Sequence, residues 1–391
     1  MRNFIKFLCI AIAVLFFPVL VYGEYVQEPG GLWLIDLPEG FILREASSDG
    51  KRFLFSSSVV PLDVIALVSE KTENSSGELK SILKSLGNTG TETEVFEWDG
   101  FECCFGNLYF PVNPGTADKS YYKGAGLTVP LEGKKGFFTV LAYCESYWAD
   151  DYNDFMYSIL DSVCVKDKHL VYPGPLTTKE FPMDSYYDVK INIKGKDLSF
   201  KMPVKSAEAN QSVIEREFRL LETYGSSPLL YSAWERYYRF IYKDAFSRIS
   251  DGAFVIGNLF RFEKGSILSD YEFSQKLLAF IQEFEYLRGV TSSDFINIPE
   301  SLCKMKGDCD TRCILFLAIL HQNNIDGIMM LSKEFSHSLV AVDVQGTGAR
   351  FPFNGKKYLV GETTAKVDLG LIDSEQSEIT AWKGISFPGM L

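Results

Sequence analysis

Histidine is nearly missing from this chain: there are three in 391 residues. Chemistry that needs an imidazole base therefore has only His169, His321 and His337 to draw on. Basic residues are also outnumbered, with 39 Lys and Arg against 51 Asp and Glu and a formal net charge of −12. No basic stripe interrupts that balance, so nucleic acid is not an expected partner. Repeats and low-complexity tracts are absent. After the first two dozen residues no apolar run approaches the ~20 residues needed to cross a bilayer.

The start of the chain differs. "MRNFIKFLCIAIAVLFFPVLVYGEY" sets Arg2 and Lys6 before an apolar run that ends at Val21-Tyr22-Gly23. This reads as a secretory signal peptide over residues 1–23, and the mature chain is expected to be exported, periplasmic or secreted. An uncleaved anchor would need a longer run. Cys9 lies inside the run, not at its end, which argues against a lipid-modified N-terminal cysteine. Of eight cysteines, removal of Cys9 leaves an odd number, so at least one thiol has no intramolecular partner.

From Leu32 to Val165, short apolar stretches such as "KRFLFSSS", "VIALVSE" and "GFFTVLAYCES" alternate with turns and read as strands. "SSGELKSILKSLG" and "YNDFMYSILDSVCV" read as helices. The expected fold class is α+β, with a small antiparallel α+β sandwich over residues 24–170 whose element order resembles the PsbP type. Pro173, Pro175 and Pro182 mark 171–186 as the best linker candidate. A second domain is expected over 187–391, opening with the hairpin "VKINIKGKDLSFKM" and helices near Glu208–Thr223 and Leu229–Ile249.

Candidate chemistry gathers in "KGDCDTRCILFLAILHQNNIDG". Gly307 permits a tight entry, Asp308 can cap a helix, and Cys309 falls at its first turn. The positive end of a helix dipole favours a thiolate, whereas Asp308 and Asp310 oppose it, so a base is needed. His337 opens the alternating strand "SHSLVAVDV". Glu362 follows in "KKYLVGETTAK", sharing a face with Tyr358 and Val360. Antiparallel pairing of these strands near the helix start would align nucleophile, base and orienting carboxylate. Taken singly, the three residues would read as a buried structural cysteine, a capping histidine and a solvated glutamate.

Together, "GDCDTRCILFLAILHQNNIDG", "SHSLVAVDV" and "YLVGETTA" resemble the transglutaminase-like cysteine protease superfamily. "FIQEFEYL" and "NIPESLCKMKGDCD" upstream extend the likeness over about residues 271–365. The resemblance implies a papain/transglutaminase-like C-terminal domain, with a central helix carrying Cys309 against an antiparallel sheet. It also implies Cys309 as nucleophile, His337 as base, Glu362 as orienting carboxylate and Gln282 as an oxyanion donor. Members most often place aspartate before proline where this chain has Glu362-Thr363-Thr364; Asp343 and Asp368 are the fallback orienters. The implied activity is acyl transfer at an amide of a protein or peptide, with cell-envelope components as further possible partners. The rival expectation is a catalytically silent binding module.

No cofactor is expected. Asp308 and Asp310 resemble acids that bind calcium in one exported branch of that superfamily, but two carboxylates are too few for an oxygen-rich cage. Asn74-Ser75-Ser76 and Asn210-Gln211-Ser212 fit a glycosylation pattern that also arises by chance. Nothing in the sequence sets the oligomeric state.

Overall fold

The computed structural model describes residues 25–28, 30–70, 73–88, 92–113, 120–133 and 136–387. The leader expected over 1–23 lies outside the described residues. The fold is mixed α+β, with helices packed on antiparallel sheets.

A seven-stranded sheet dominates the N-terminal part. In spatial order its strands are Phe41–Ala46, Arg52–Ser57, Asp63–Ser69, Phe137–Glu145, Tyr121–Pro130, Phe101–Pro111 and Thr93–Trp98, each antiparallel to its neighbour. Phe137–Glu145 lies in the middle and is buried along all but its last residue, because both faces of the sheet are covered. Helix Ser75–Ser85 sets Leu79 and Leu83 against Cys104, Leu108 and Leu141 on one face. Helix Asn153–Asp161 sets Phe155 and Ile159 into the cluster that holds Cys103, Val140 and Ala142 on the other. Period-two alternation along the strands sends successive side chains to these two clusters.

"TEVFEWDGFECCFGNLYF" forms two strands, Thr93–Trp98 and Phe101–Pro111, joined through Asp99 and Gly100. Both joining residues adopt positive φ, as a two-residue hairpin turn requires. "GLWLIDL" does not join the large sheet: Leu34–Asp36 pairs instead with Tyr25–Gln27 as a separate hairpin.

Residues 171–186 are packed against the body. Trp98 Nε1 donates to Pro173 O at 2.9 Å. The short helix Pro175–Glu180 begins on Asp161, whose Oδ1 accepts from the amides of Leu176 (2.6 Å) and Thr177 (3.0 Å).

The hairpin Tyr186–Ile193/Lys196–Pro203 follows, then helices Ser206–Glu222, Leu230–Arg248, Ser250–Arg261, Asp270–Ile281, Ile298–Lys304 and Cys309–Gln322. A five-stranded antiparallel sheet closes the chain, in the order Arg350–Phe353, Lys356–Gly361, His337–Val342, Gly327–Ser332 and Lys383–Ile385. Helix Cys309–Gln322 is buried over nearly its whole length, with Met329, Val340 and Leu359 of the sheet in its cluster. That cluster also runs back through Ile241, Leu220 and Tyr224 to Phe155 and Ile159, so a continuous apolar core joins the two parts.

Charge joins them as well. Asp36 is buried and accepts from Arg239 at 3.2 Å, while Arg236 donates to the Asp36 carbonyl at 3.1 Å and to Glu217 at 2.7 Å. Arg216 reaches Asp161 at 2.6 Å. Each of these buried charges thus has an opposite partner.

Candidate active site

The cysteine helix begins where local chemistry dictates. Asp308 is extended, and its Oδ1 accepts from the Thr311 amide at 2.9 Å, capping the first turn. Gly307 is required by closeness: a Cβ there would lie 2.8 Å from Thr311 Cγ2. Cys309 is thereby fixed as the first helical residue, 6% exposed. Its thiol is 3.5 Å from Asp310 Oδ1, and Asp310 Oδ2 accepts from the Tyr238 hydroxyl at 2.6 Å.

His337 opens its strand just after Ser336, whose φ of 48° shapes the preceding turn. Glu362 follows the last residue of Lys356–Gly361. The two strands pair antiparallel, with Val340 opposite Gly361. A Cβ at Gly361 would come within 2.9 Å of Leu369 Cδ2 and 3.0 Å of Val340 Cγ2, so glycine permits this approach just before Glu362. His337 Nε2–H donates to Glu362 Oε2 at 2.8 Å. Cys309 lies close enough to the imidazole to help raise its pKa, and both side chains line one cleft. The geometry therefore brings Cys309, His337 and Glu362 together.

Burial works to lower the His337 pKa, but hydrogen bonds to Cys309 and Glu362 outweigh it and raise the group to about 10. Burial works to raise Glu362, yet His337 and the hydroxyl and amide of Thr364 hold it below the usual carboxylate range. The arrangement favours an imidazolium paired with the Glu362 carboxylate. Asp308 is pushed up to about 7, first by burial and then by the neighbouring Asp310 charge.

Gln282 sits differently from the expectation that it donates to an oxyanion. Its Nε2 donates to Glu362 O and to Val367 O, both at 2.8 Å. Both neighbours are carbonyl oxygens, so the amide must turn its NH₂ group to them, and its donors are used. Gln282 holds the backbone on either side of the Glu362 turn.

Arg312 does related work that the sequence reading missed. It is 2% exposed and donates to three carbonyls: Gly307 at 2.9 Å, Phe284 at 2.6 Å and Thr363 at 3.2 Å. It ties the cysteine turn to the segment after Glu362. Its only sequence signal was a cation on a helix with almost no polar face. Tyr238 was missed too, because nothing local links helix Leu230–Arg248 to Asp310.

The fallback carboxylates are engaged elsewhere: Asp343 pairs with Lys356 at 2.8 Å, and Asp368 accepts from Gln275 at 2.9 Å. Among the described residues no group of three or more His, Cys, Asp or Glu converges as a metal site. Asn210 is fully buried, donating to Ile241 O and Asp244 and accepting from the Ile298 amide, so it presents no acceptor for a glycan. The cysteines of the described residues are free thiols. His169 bonds Asp99 and His321 bonds Tyr242, both remote from Cys309 in these contacts.

Cys309 and His337 open onto a cleft of about 310 Å³. Its walls come from helices Ser206–Glu222 and Leu230–Arg248, the segment Arg288–Phe295, and the turn that carries Ser332, Lys333 and Ser336.

No protein-family model matches the chain, and no curated protein matches it. Among solved structures, the chain is similar to the PsbP protein of the cyanobacterium Synechocystis, with TM-score 0.30, 12% identity, and coverage of 37% of this chain and 92% of that one. It is also similar to the Ran-binding protein Mog1p of Saccharomyces cerevisiae, with TM-score 0.26, 14% identity, and coverage of 36% and 94%. A candidate protease from Parabacteroides distasonis aligns over 83% of this chain and 69% of its own, with TM-score 0.21 and 10% identity. Likenesses at this level carry no argument about family or activity.

Proposed function

We propose that this chain is an exported, thiol-dependent amide hydrolase or acyl transferase with a transglutaminase-like catalytic domain. The observation that carries the reading is one imidazole bonded to Glu362 through Nε2, with Cys309 beside it at the mouth of the same cleft. A structural histidine has no need of both a thiol and a carboxylate beside open space.

In the proposed reaction the Cys309 proton resides on His337, and the sulfur attacks the carbonyl carbon of an amide. First-turn amides have no acceptor within their own helix. The Asp308 side chain takes that of Thr311, leaving the amides of Cys309 and Asp310 as donors for the developing oxyanion. Collapse of the tetrahedral adduct breaks the C–N bond, and His337 gives its proton to the departing amine. Water, deprotonated by His337, then attacks the thioester, releasing the acid and restoring the thiol; an amine in place of water gives transfer. Glu362 stabilises the imidazolium and fixes the ring. Protein or peptide substrates, including envelope components, fit this chemistry, and no cofactor is needed for it.

The test is an acyl-enzyme experiment with p-nitrophenyl acetate. Wild type should show a burst of p-nitrophenol and a single acetyl group on Cys309 by mass mapping. Cys309→Ala should show neither. A burst that survives in Cys309→Ala, or acetyl groups confined to other residues, refutes the reading.

A further inference from the structure

The cleft wall facing the thiol is more apolar than a general amide-binding groove requires. Phe218 and Leu221 project from one helix at spacing i, i+3, and Trp234, Tyr237 and Tyr238 from the next at i, i+3 and i+4. Tyr237 is central. Its ring lies edge-on to Phe218 and Phe295, with centroids 6.4 Å away in each case, and 5.1 Å from Tyr238. Such edge-to-face packing fixes the rings and makes the wall a preformed shape.

The Tyr237 hydroxyl has no hydrogen-bond partner among the described residues. Burial and the charges of Asp310 and Asp308 push its pKa far up, so it stays protonated, a hydrogen-bond donor on the wall. Around the thiol the charges are mixed in sign. Asp308, Asp310 and Asp294 line the cleft, and the Arg288 guanidinium is already paired with Asp294 at 2.9 Å. Lys333 stands on the opposite turn, beside the histidine strand.

We propose that this wall selects the substrate: an amide whose acyl side carries an aromatic or large branched aliphatic side chain, with carboxylate side chains disfavoured there. The inference rests on Cys309 being the nucleophile. An aromatic ring entering the cleft replaces water against Phe218, Trp234 and Tyr237, and Tyr237 O–H is available to a carbonyl of the same residue. A carboxylate there would lose its hydration against the same rings.

The test uses N-acetyl aminoacyl chloromethyl ketones with Phe, Leu, Ala or Asp next to the reactive carbon, and iodoacetamide as a probe without a side chain. Second-order rates of Cys309 alkylation are read by intact mass. Phe and Leu probes should exceed the Ala probe by about 10–200-fold, the range over which an apolar pocket discriminates, and the Asp probe should be slower than Ala. Phe218→Ala and Trp234→Ala should each lower the Phe-to-Ala ratio. If Cys309 reacts readily with iodoacetamide yet the four ketones react equally, the selectivity is overturned and the nucleophile stands. If iodoacetamide reacts with Cys309 no faster than with a free thiol in unfolded protein, both are overturned.

Discussion

His337 Nε2 lies 2.8 Å from Glu362 Oε2, and this bond joins the ends of two strands. At a strand end the side chain is freed from strict alternation, which lets both residues turn toward the start of the cysteine helix. The carboxylate fixes which ring nitrogen faces the sulfur. Glu362→Gln keeps the size but removes the charge. In the serine triad the corresponding change costs about 10⁴-fold in turnover. A thiol is intrinsically more acidic and nucleophilic, so the expected loss here is about 10–10³-fold in deacetylation of the acyl-enzyme. Glu362→Asp is one methylene short on a backbone held by Gln282, so only partial activity is expected. Wild-type rates in both variants would remove Glu362 from the site.

The pH dependence has a definite sign. The folded His337 pKa of about 10 lies above its ordinary 6.5, so the folded state holds an extra proton between these values. Its contribution to stability is full below about pH 6.5 and is lost as pH rises through about 10. Glu362 is depressed and acts in the other sense: its contribution is present above its unfolded value and lost as pH falls through the folded one. Acylation that needs the imidazolium as a proton donor should therefore fall on an alkaline limb near pH 10. Glu362→Gln removes one of the interactions that raise His337, so the limb should move to lower pH. A limb unchanged in that variant would contradict the ion pair.

Gln282 offers a sharp distinction of roles. Loss of an oxyanion donor costs about 10²–10³-fold in turnover. With both donors committed to Glu362 O and Val367 O, Gln282→Ala should instead lower the melting temperature and reduce turnover by less than about tenfold. The two unpaired carbonyls it leaves account for the instability. A stable variant with turnover reduced a hundredfold or more would return Gln282 to the oxyanion.

Arg312 should be irreplaceable by lysine. One ammonium cannot span three carbonyls set by a planar fork. Arg312→Lys should destabilise the chain by about 3 kcal/mol, since hydrogen bonds to charged groups contribute about 1.5–3 kcal/mol each. Denaturant unfolding measures this, and a loss below about 0.5 kcal/mol would show that the clamp is dispensable.

The N-terminal part should melt with the site. Asp36 pairs with Arg239 and Arg236, on the helix whose next residues, Tyr237 and Tyr238, line the cleft. Asp36→Asn removes the buried carboxylate facing Arg239, which is left with Glu235 at 3.9 Å, and breaking a buried pair in this way typically costs about 3–5 kcal/mol. One cooperative thermal transition at lower temperature is expected, whereas the exposed control Asp150→Asn should match wild type. Two separate transitions in wild type would contradict this coupling.

Much of this was legible in the sequence for local reasons. Asp308 before Cys309, Gly307 before both, and the apolar run after them specify a capped, buried helix, and it forms over Cys309–Gln322. "SHSLVAVDV" alternates and forms His337–Val342. What stayed hidden depends on distant partners. The engagement of Gln282 with the turn after Glu362, the three carbonyls on Arg312, and Asp36 meeting two arginines some 200 positions away leave no periodic trace. "GLWLIDL" reads as a strand, but apolar alternation does not report its partner, which is Tyr25–Gln27.

The most direct test of the central claim is the rate at which iodoacetamide alkylates Cys309 between pH 4 and 9, in wild type and in His337→Ala. An imidazolium-paired sulfur should react rapidly with little dependence on pH down to mildly acidic conditions. In His337→Ala the rate should fall at neutral pH and rise with pH like that of an ordinary thiol. Equal rates and equal pH profiles in the two proteins would contradict the account.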